Sequence, residues 1–112
     1  MEIKEIVPEE LLTSNAHELE PGQAELIGYA KSTEDVSDFM KKANEADKKV
    51  ITIGAHTGLT GATYPHEGEW FLSLAEMTDI ISLDKETLTL NVQAGVTLAQ
   101  IRQYLADTPY FY

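Results

Sequence analysis

The chain has 112 residues, enough for one domain, and a hydrophobic content of 43% predicts a folded protein rather than a disordered one. Nineteen acidic residues against eight Lys and Arg give a formal net charge of -11, which disfavours nucleic acid or anionic lipid as a partner. Because the chain has no Cys, disulfides, thiolate catalysis and thiolate metal sites are excluded.

No apolar run approaches the roughly 18 residues that a membrane span needs. The first six residues lack a basic region followed by an apolar stretch, so they do not read as a secretion signal. We therefore expect a cytoplasmic protein without a membrane span.

Residues 1–23 are predicted to be peripheral. Pro8 can open a short helix, with acidic residues near its positive end, and residues 20–22 (Glu-Pro-Gly) predict a turn.

A strand followed by a helix is predicted next. Residues 24–30 are typical of a strand, weakened by Gly28, and Ser32 is a helix N-cap with Asp35 three residues later in the manner of a capping box. The apolar face of this helix has helical spacing, which predicts that it packs on a sheet; its members are Val36, Phe39, Met40 and Ala43.

The most informative segment is a β-branched strand, residues 50–53, that runs into a glycine loop, defined here as residues 54–61. Gly54, Gly58 and Gly61 leave its backbone open, and no Asp or Glu occurs between Lys48 and His66. Clustered backbone N–H groups in such a loop can bind an anion. The alternative is a tight turn or β-bulge with no ligand.

Known phosphate motifs do not fit this loop. A P-loop would need Lys-Ser or Lys-Thr after a glycine, and a dinucleotide-binding fingerprint would need a helix to start at the glycines. Here residues 62–65 lead to another turn instead. The histidines His17, His56 and His66 show no metal-ligand spacing, and no Ser, His and Asp set suggests a triad, so we expect neither a metal site nor a catalytic residue.

Three further strands and a helix complete the pattern. Residues 70–74 and 79–83 read as strands, a turn is expected at residues 85–86, and alternation at Leu88, Leu90 and Val92 predicts a half-buried strand. Thr97 and Gln100 form a second capping box. The helix that it opens presents Leu98, Ile101 and Leu105. The order of elements predicts an α+β fold with a βαβ unit, further strands and two main helices.

Several linked segments follow one another in a consistent order, at residues 25–27, 31–36, 50–65, 71–74 with Met77, and 92–98. Together they resemble the FAD-linked oxidase family, in particular the N-terminal part of the FAD-binding domain of glycolate oxidase and D-lactate dehydrogenase flavoproteins, of the vanillyl-alcohol oxidase type. The resemblance implies that residues 24–112 are the first, small subdomain of an FAD-binding domain.

The same resemblance implies that the glycine loop wraps the FAD pyrophosphate, with backbone N–H groups and the hydroxyls of Thr57 and Thr60 as donors. The implied cofactor-binding residues are Gly54, Ala55, His56, Thr57, Gly58, Leu59, Thr60 and Gly61. For Gly95, before the last helix, a conformational role is expected. His56 falls where some members of the wider superfamily bond covalently to the flavin; the alternative, which we prefer, is a hydrogen bond to phosphate or backbone.

The chain ends in three consecutive aromatic residues, 110–112, which suggests a cut inside a fold. We therefore expect part of a 2-hydroxyacid flavin oxidoreductase, truncated at its C-terminus and not catalytic alone, that forms a homo-oligomer through uncovered apolar surface. The competing interpretation is a non-catalytic, self-associating interaction module that binds no flavin.

Overall fold

The structure is a computed structural model that describes residues 1–8, 24–54 and 68–112. Six strands and two helices lie in these ranges, which confirms the predicted α+β class. In chain order they are β1 (Glu2–Lys4), β2 (Ala24–Tyr29), α1 (Thr33–Glu45), β3 (Val50–Ile53), β4 (Glu69–Ser73), β5 (Ile80–Asp84), β6 (Thr89–Val92) and α2 (Leu98–Leu105).

Four strands form one sheet, in the order β1-β2-β4-β3. Strands β2, β4 and β3 are parallel, and β1 pairs antiparallel with β2 at the edge. The predicted βαβ unit is therefore present as β2-α1-β3, with β4 inserted between its two strands. Strands β5 and β6 form a separate antiparallel hairpin. Strand β1 was not predicted, because three residues are too few for an alternating pattern to be visible.

Both ends of α1 have identifiable caps. The hydroxyl of Ser32 accepts the Asp35 amide at 3.1 Å, as predicted, but the Asp35 carboxylate accepts the amide of Lys31 at 3.0 Å rather than that of Ser32. At the other end, Lys48 N donates to Ala43 O and Asp47 N to Asn44 O, with Asp47 at φ 54°. This pair of bonds is a Schellman motif, in which a residue in the left-handed conformation ends the helix.

Helix α1 covers one face of the sheet through Phe39 and Ala43, both buried. The Phe39 ring lies tilted against Trp70 of β4, with ring centroids 5.6 Å apart. A Cβ on Gly28 would lie 2.6 Å from the Phe39 ring, so the glycine that weakened the strand prediction is what lets α1 approach β2. Met40 was predicted on this face and is 45% exposed, because the contact with the sheet is centred on Phe39.

The opposite face of the sheet carries a second cluster of buried residues. Ile27, Phe71 and Ile53 come from the three parallel strands and pack together, with Val7 and Tyr29 beside them. Since both faces carry buried side chains, β2 and β4 contain consecutive apolar residues, as is usual for parallel sheets.

The β5–β6 hairpin and α2 lie next to the last residues of the chain. The capping box of α2 is confirmed, because Thr97 Oγ1 accepts the Gln100 amide at 3.2 Å and Gln100 Oε1 accepts the Thr97 amide at 2.8 Å. Leu88 was predicted in a strand but lies in the hairpin turn at φ 55°, and it is 70% exposed. Hydrogen bonding around Asp84 shapes this turn and overrides the alternating pattern.

An apolar cavity of about 640 Å³ opens between the hairpin, α2 and residues 109–112. Leu105 of α2 is buried beside it, whereas Leu98, predicted on the same face, is half exposed.

The short helix predicted to open at Pro8 and the turn predicted at residues 20–22 fall almost wholly outside the described residues. In the part of the chain that the structure describes, neither helix is long and apolar enough to cross a membrane.

Candidate functional site

The carboxyl ends of the three parallel strands meet at one edge of the sheet. There the Ala30 amide donates to Ser73 O at 3.1 Å, and the Leu74 amide donates to Ile53 O at 2.9 Å. These two bonds extend the pairing of β4 past its last residue toward both neighbours. In open sheets of parallel strands, ligands bind beyond the carboxyl edge, so this edge is the first place to look for a site.

Gly54 begins the glycine loop at this edge, directly after β3. A Cβ built on Gly54 would have no heavy atom within 4 Å, so its backbone borders open space on that side. Among the predicted cofactor-binding residues, only Gly54 lies within the described ranges. The other seven lie outside them: Ala55, His56, Thr57, Gly58, Leu59, Thr60 and Gly61.

The N-terminus of α1 lies at the same edge but is a poor place for an anion. The Ser32 hydroxyl caps the Asp35 amide, and Glu34 and Asp35 occupy the first turn. The nearby Lys31 ammonium forms an exposed ion pair with Glu76 at 3.7 Å. Negative side chains already complement the helix dipole, so phosphate donors at this edge have to come from another segment.

A turn at residues 74–77 follows β4 and is held from two sides. On the sheet side, Met77 is buried in the cluster formed by Ala30, Phe39 and Leu72. On the other side, the Gly95 amide donates to Met77 O at 2.8 Å. A Cβ on Gly95 would overlap the carbonyl oxygen of Leu74 and lie 2.8 Å from that of Met77. Gly95 has no positive φ, so its requirement for glycine is steric.

An ion pair lies at the opposite, amino edge of the sheet. Lys48 Nζ is 2.5 Å from Glu25 Oε2, and this hydrogen bond holds the pKa of Glu25 below its usual value against a smaller effect of desolvation. The buried indole N–H of Trp70 adds a minor contribution in the same direction, although it lacks hydrogen-bonding geometry to any described acceptor. This pair joins β2 to the start of β3 and is remote from Gly54 along both strands.

Within residues 1–8, 24–54 and 68–112, no group of three or more His, Asp or Glu side chains is arranged to hold a metal ion.

The family of the chain follows from comparison with known proteins. A family described as "FAD binding domain" matches residues 24–112. The chain belongs to this family. The cofactor implied for it is FAD, and the resemblance drawn from the sequence is confirmed. The described residues fit the cofactor at one point, since Gly54 leaves backbone accessible where the glycine loop starts.

The curated relatives include a transhydrogenase, a dehydrogenase and an oxidase subunit. D-2-hydroxyglutarate–pyruvate transhydrogenase of Saccharomyces cerevisiae is 35% identical over 89% of this chain and 21% of its own length. D-lactate dehydrogenase of Anaerostipes hadrus is 37% identical over 70% of this chain and 17% of its own. The GlcD subunit of Bacillus subtilis glycolate oxidase is 36% identical over 64% of this chain and 16% of its own length. The chain thus spans about a fifth of the length of these relatives.

Solved structures share the fold at low sequence identity. Substrate-bound p-cresol methylhydroxylase has a TM-score of 0.76 at 24% identity, over 88% of this chain and 20% of the other. Alkyldihydroxyacetonephosphate synthase has a TM-score of 0.71 at 19% identity, over 77% of this chain and 16% of the other. The arrangement of strands and helices in this chain is therefore shared with part of each of these two proteins.

Sequence reasoning singled out the glycine loop, whose role stays a prediction, and it missed the contact between Gly95 and the turn at residues 74–77. The sequence signal was Gly95 itself. It lies between the strand pattern of β6 and the capping box of α2, and a glycine in that place indicates a turn. That Gly95 touches a carbonyl twenty-one residues earlier in the chain is a tertiary fact that no local pattern contains.

Proposed function

We propose that residues 24–112 form the pyrophosphate-binding subdomain of an FAD-dependent oxidoreductase that acts on 2-hydroxy acids. The observation that carries the proposal is the position of Gly54. It places the start of an acid-free glycine loop at the carboxyl edge of a parallel sheet, in a chain of the FAD binding domain family. We propose that residues 1–23 are peripheral to this subdomain, with β1 paired to β2 only at the outer edge of the sheet.

The substrate class rests on the relatives. Their names refer to D-2-hydroxyglutarate, D-lactate and glycolate, and all three compounds are 2-hydroxy acids. When bound, FAD supplies the acceptor for a hydride from the substrate carbon.

The proposed role of this chain is to bind and orient the cofactor. Backbone N–H groups of the glycine loop donate to the pyrophosphate oxygens, and the hydroxyls of Thr57 and Thr60 add two side-chain donors. His56 donates a further hydrogen bond to phosphate or backbone. Such a site needs no cationic side chain, which agrees with the involvement of Lys31 in an ion pair.

We further propose that the chain is incomplete as a catalyst. It spans about a fifth of the relatives' length. We therefore assign the groups that bind substrate to the regions of the relatives that this chain does not cover. Part of a flavin site forfeits affinity while still ordering the ligand. We therefore expect FAD to bind this chain with a dissociation constant no tighter than micromolar.

The chain is also proposed to form a homo-oligomer. Phe111 is 92% exposed and Tyr112 is 76% exposed, both beside the apolar cavity. Covering such side chains in a second copy removes apolar surface from water. The competing idea of a flavin-free interaction module has no support from the family match. The cytoplasmic location stays a prediction.

Flavin titrations test the cofactor assignment. We expect FAD to bind more tightly than riboflavin, which lacks the phosphates, and we expect Gly58→Val to abolish the difference because it blocks approach to the loop backbone. Met40→Ala, an exposed change on α1, is the control and should leave both affinities unchanged. Equal binding of FAD and riboflavin by the unaltered chain would refute the assignment.

A further inference from the structure

A backbone path links Gly95 to the start of the glycine loop. Gly95 contacts the carbonyl of Leu74 and donates to that of Met77. The amide of Leu74 in turn donates to Ile53 O at 2.9 Å, and Ile53 immediately precedes Gly54. One tight backbone contact and one hydrogen bond thus separate Gly95 from the residue before the loop.

The turn at residues 74–77 has little freedom to move away from Gly95. The Met77 side chain is 7% exposed in the core cluster, and the Met77 amide donates to Leu74 O at 3.0 Å. Gln93 Oε1 accepts the Asp79 amide at 2.8 Å, and Gln93 N donates to Asp79 O at 2.9 Å. The turn therefore lies between the sheet core and the segment at residues 93–95, and added bulk at Gly95 has to displace backbone.

We infer that Gly95 is a positioning residue for the glycine loop. Its missing side chain lets the segment between β6 and α2 lie against the turn at residues 74–77. That contact fixes the position of the Leu74 amide, which donates to Ile53 O. It thereby fixes the position of the backbone at Ile53 and Gly54, where the glycine loop begins. The inference rests on the proposed function only for the identity of the ligand; the coupling from Gly95 to Ile53 is a property of this chain alone.

Gly95→Ala tests the coupling, with Gly28→Ala as the matched control. Both changes add one methyl group at a close contact, but the Gly28 methyl would meet the Phe39 ring on the α1 side of the sheet. Hydrogen exchange of individual amides is measured in the full chain without FAD, at conditions that give the two variants equal global stability. We expect the Leu74 amide to exchange at least about tenfold faster in Gly95→Ala than in Gly28→Ala.

FAD affinity of the same two variants provides the second readout. We expect Gly95→Ala to weaken FAD binding by about tenfold or more, and Gly28→Ala to retain the affinity of the unaltered chain in its folded fraction.

Should Gly95→Ala fail to fold, Gln93→Ala removes the acceptor of the Asp79 amide without adding bulk. It should accelerate exchange at Leu74 by about threefold or more.

Equal Leu74 exchange in the two glycine variants would overturn the inference. Fast exchange at Leu74 with unchanged FAD affinity would overturn it as well, because the displacement would then not reach the loop. If the unaltered chain binds no FAD while Leu74 exchange still responds, the proposed function fails and the coupling stands.

Discussion

The amide of Leu74 donates a hydrogen bond of 2.9 Å to the carbonyl of Ile53, across the end of two parallel strands. Strand β4 ends at Ser73 and β3 ends at Ile53, so this bond closes the sheet at its carboxyl edge. The next residue along the chain is Gly54, whose backbone borders open space. The candidate site thus begins from a fixed point at the sheet edge.

Asp47→Gly is expected to stabilise the chain. Asp47 holds φ 54° in the Schellman motif after α1, a conformation that costs most residues about 1–2 kcal/mol and glycine almost nothing. The greater freedom of glycine in the unfolded state offsets about 0.4–1 kcal/mol, so a net gain of roughly 0.5–1 kcal/mol remains. Urea unfolding measures it. Asp47→Ala is the control, and it should lose stability; a glycine variant no more stable than the alanine one would contradict the cap assignment.

Phe39→Ala should remove about 3–5 kcal/mol from the free energy of unfolding, because it leaves a cavity between α1 and the sheet. Phe39 is fully buried and packs on Trp70. Met40→Ala, one residue along the same helix, should change stability by only about 0.5 kcal/mol. Denaturant unfolding of both variants makes the comparison, and similar losses would show that the packing of α1 is not centred on Phe39.

Acid should weaken the β5–β6 hairpin through Asp84. Its carboxylate accepts backbone amides from Thr87 at 3.3 Å and Glu86 at 3.0 Å, and these bonds hold the pKa of Asp84 below its usual value of 3.8. Because the pKa is lower in the folded state, the stabilisation is fully present above the unfolded pKa and is lost as pH falls through the folded one.

Asp84→Asn isolates this effect, since the amide side chain cannot titrate. The stability difference between the unaltered chain and Asp84→Asn should be constant above about pH 5 and should shrink as the pH falls below 3.8. Urea unfolding across this range measures it, and a difference that grows on acidification would show the opposite sign.

Self-association is expected to depend on the aromatic residues beside the apolar cavity. Phe111→Ser should shift the chain toward monomer in sedimentation equilibrium, because it removes the most exposed large apolar side chain among the described residues. Ile6→Ser is the control, with a side chain 85% exposed in the N-terminal segment. A clean monomer for the unaltered chain over a wide concentration range would refute the homo-oligomer.

The predictable parts of the fold were those with local signals. The caps at Ser32 and Thr97 are short-range hydrogen bonds between neighbouring residues, so a few letters of sequence suffice to place them. Met40 was misplaced because a helical stripe does not say which of its members faces the sheet. Leu88 was misplaced because the Asp84 carboxylate accepts backbone amides and forms a turn there, even though the alternation of apolar residues predicted a strand.

The site at the glycine loop stays a prediction, since only Gly54 of its residues lies within the described ranges. Glycine spacing and the absence of acids located the loop that starts at Gly54. The steric demands on Gly28 and Gly95 were not predictable, since each depends on atoms brought close only by folding.

The central claim, that FAD binds at the glycine loop, is tested most directly by following assigned backbone amides in NMR spectra as FAD is added up to millimolar concentration. The account predicts fast-exchange shifts at Gly54 and at residues 55–61, smaller shifts at Leu74, and none at the Glu25–Lys48 ion pair on the opposite edge. Binding confined to the apolar cavity beside residues 109–112, or no shift at any of these loop amides, would contradict it.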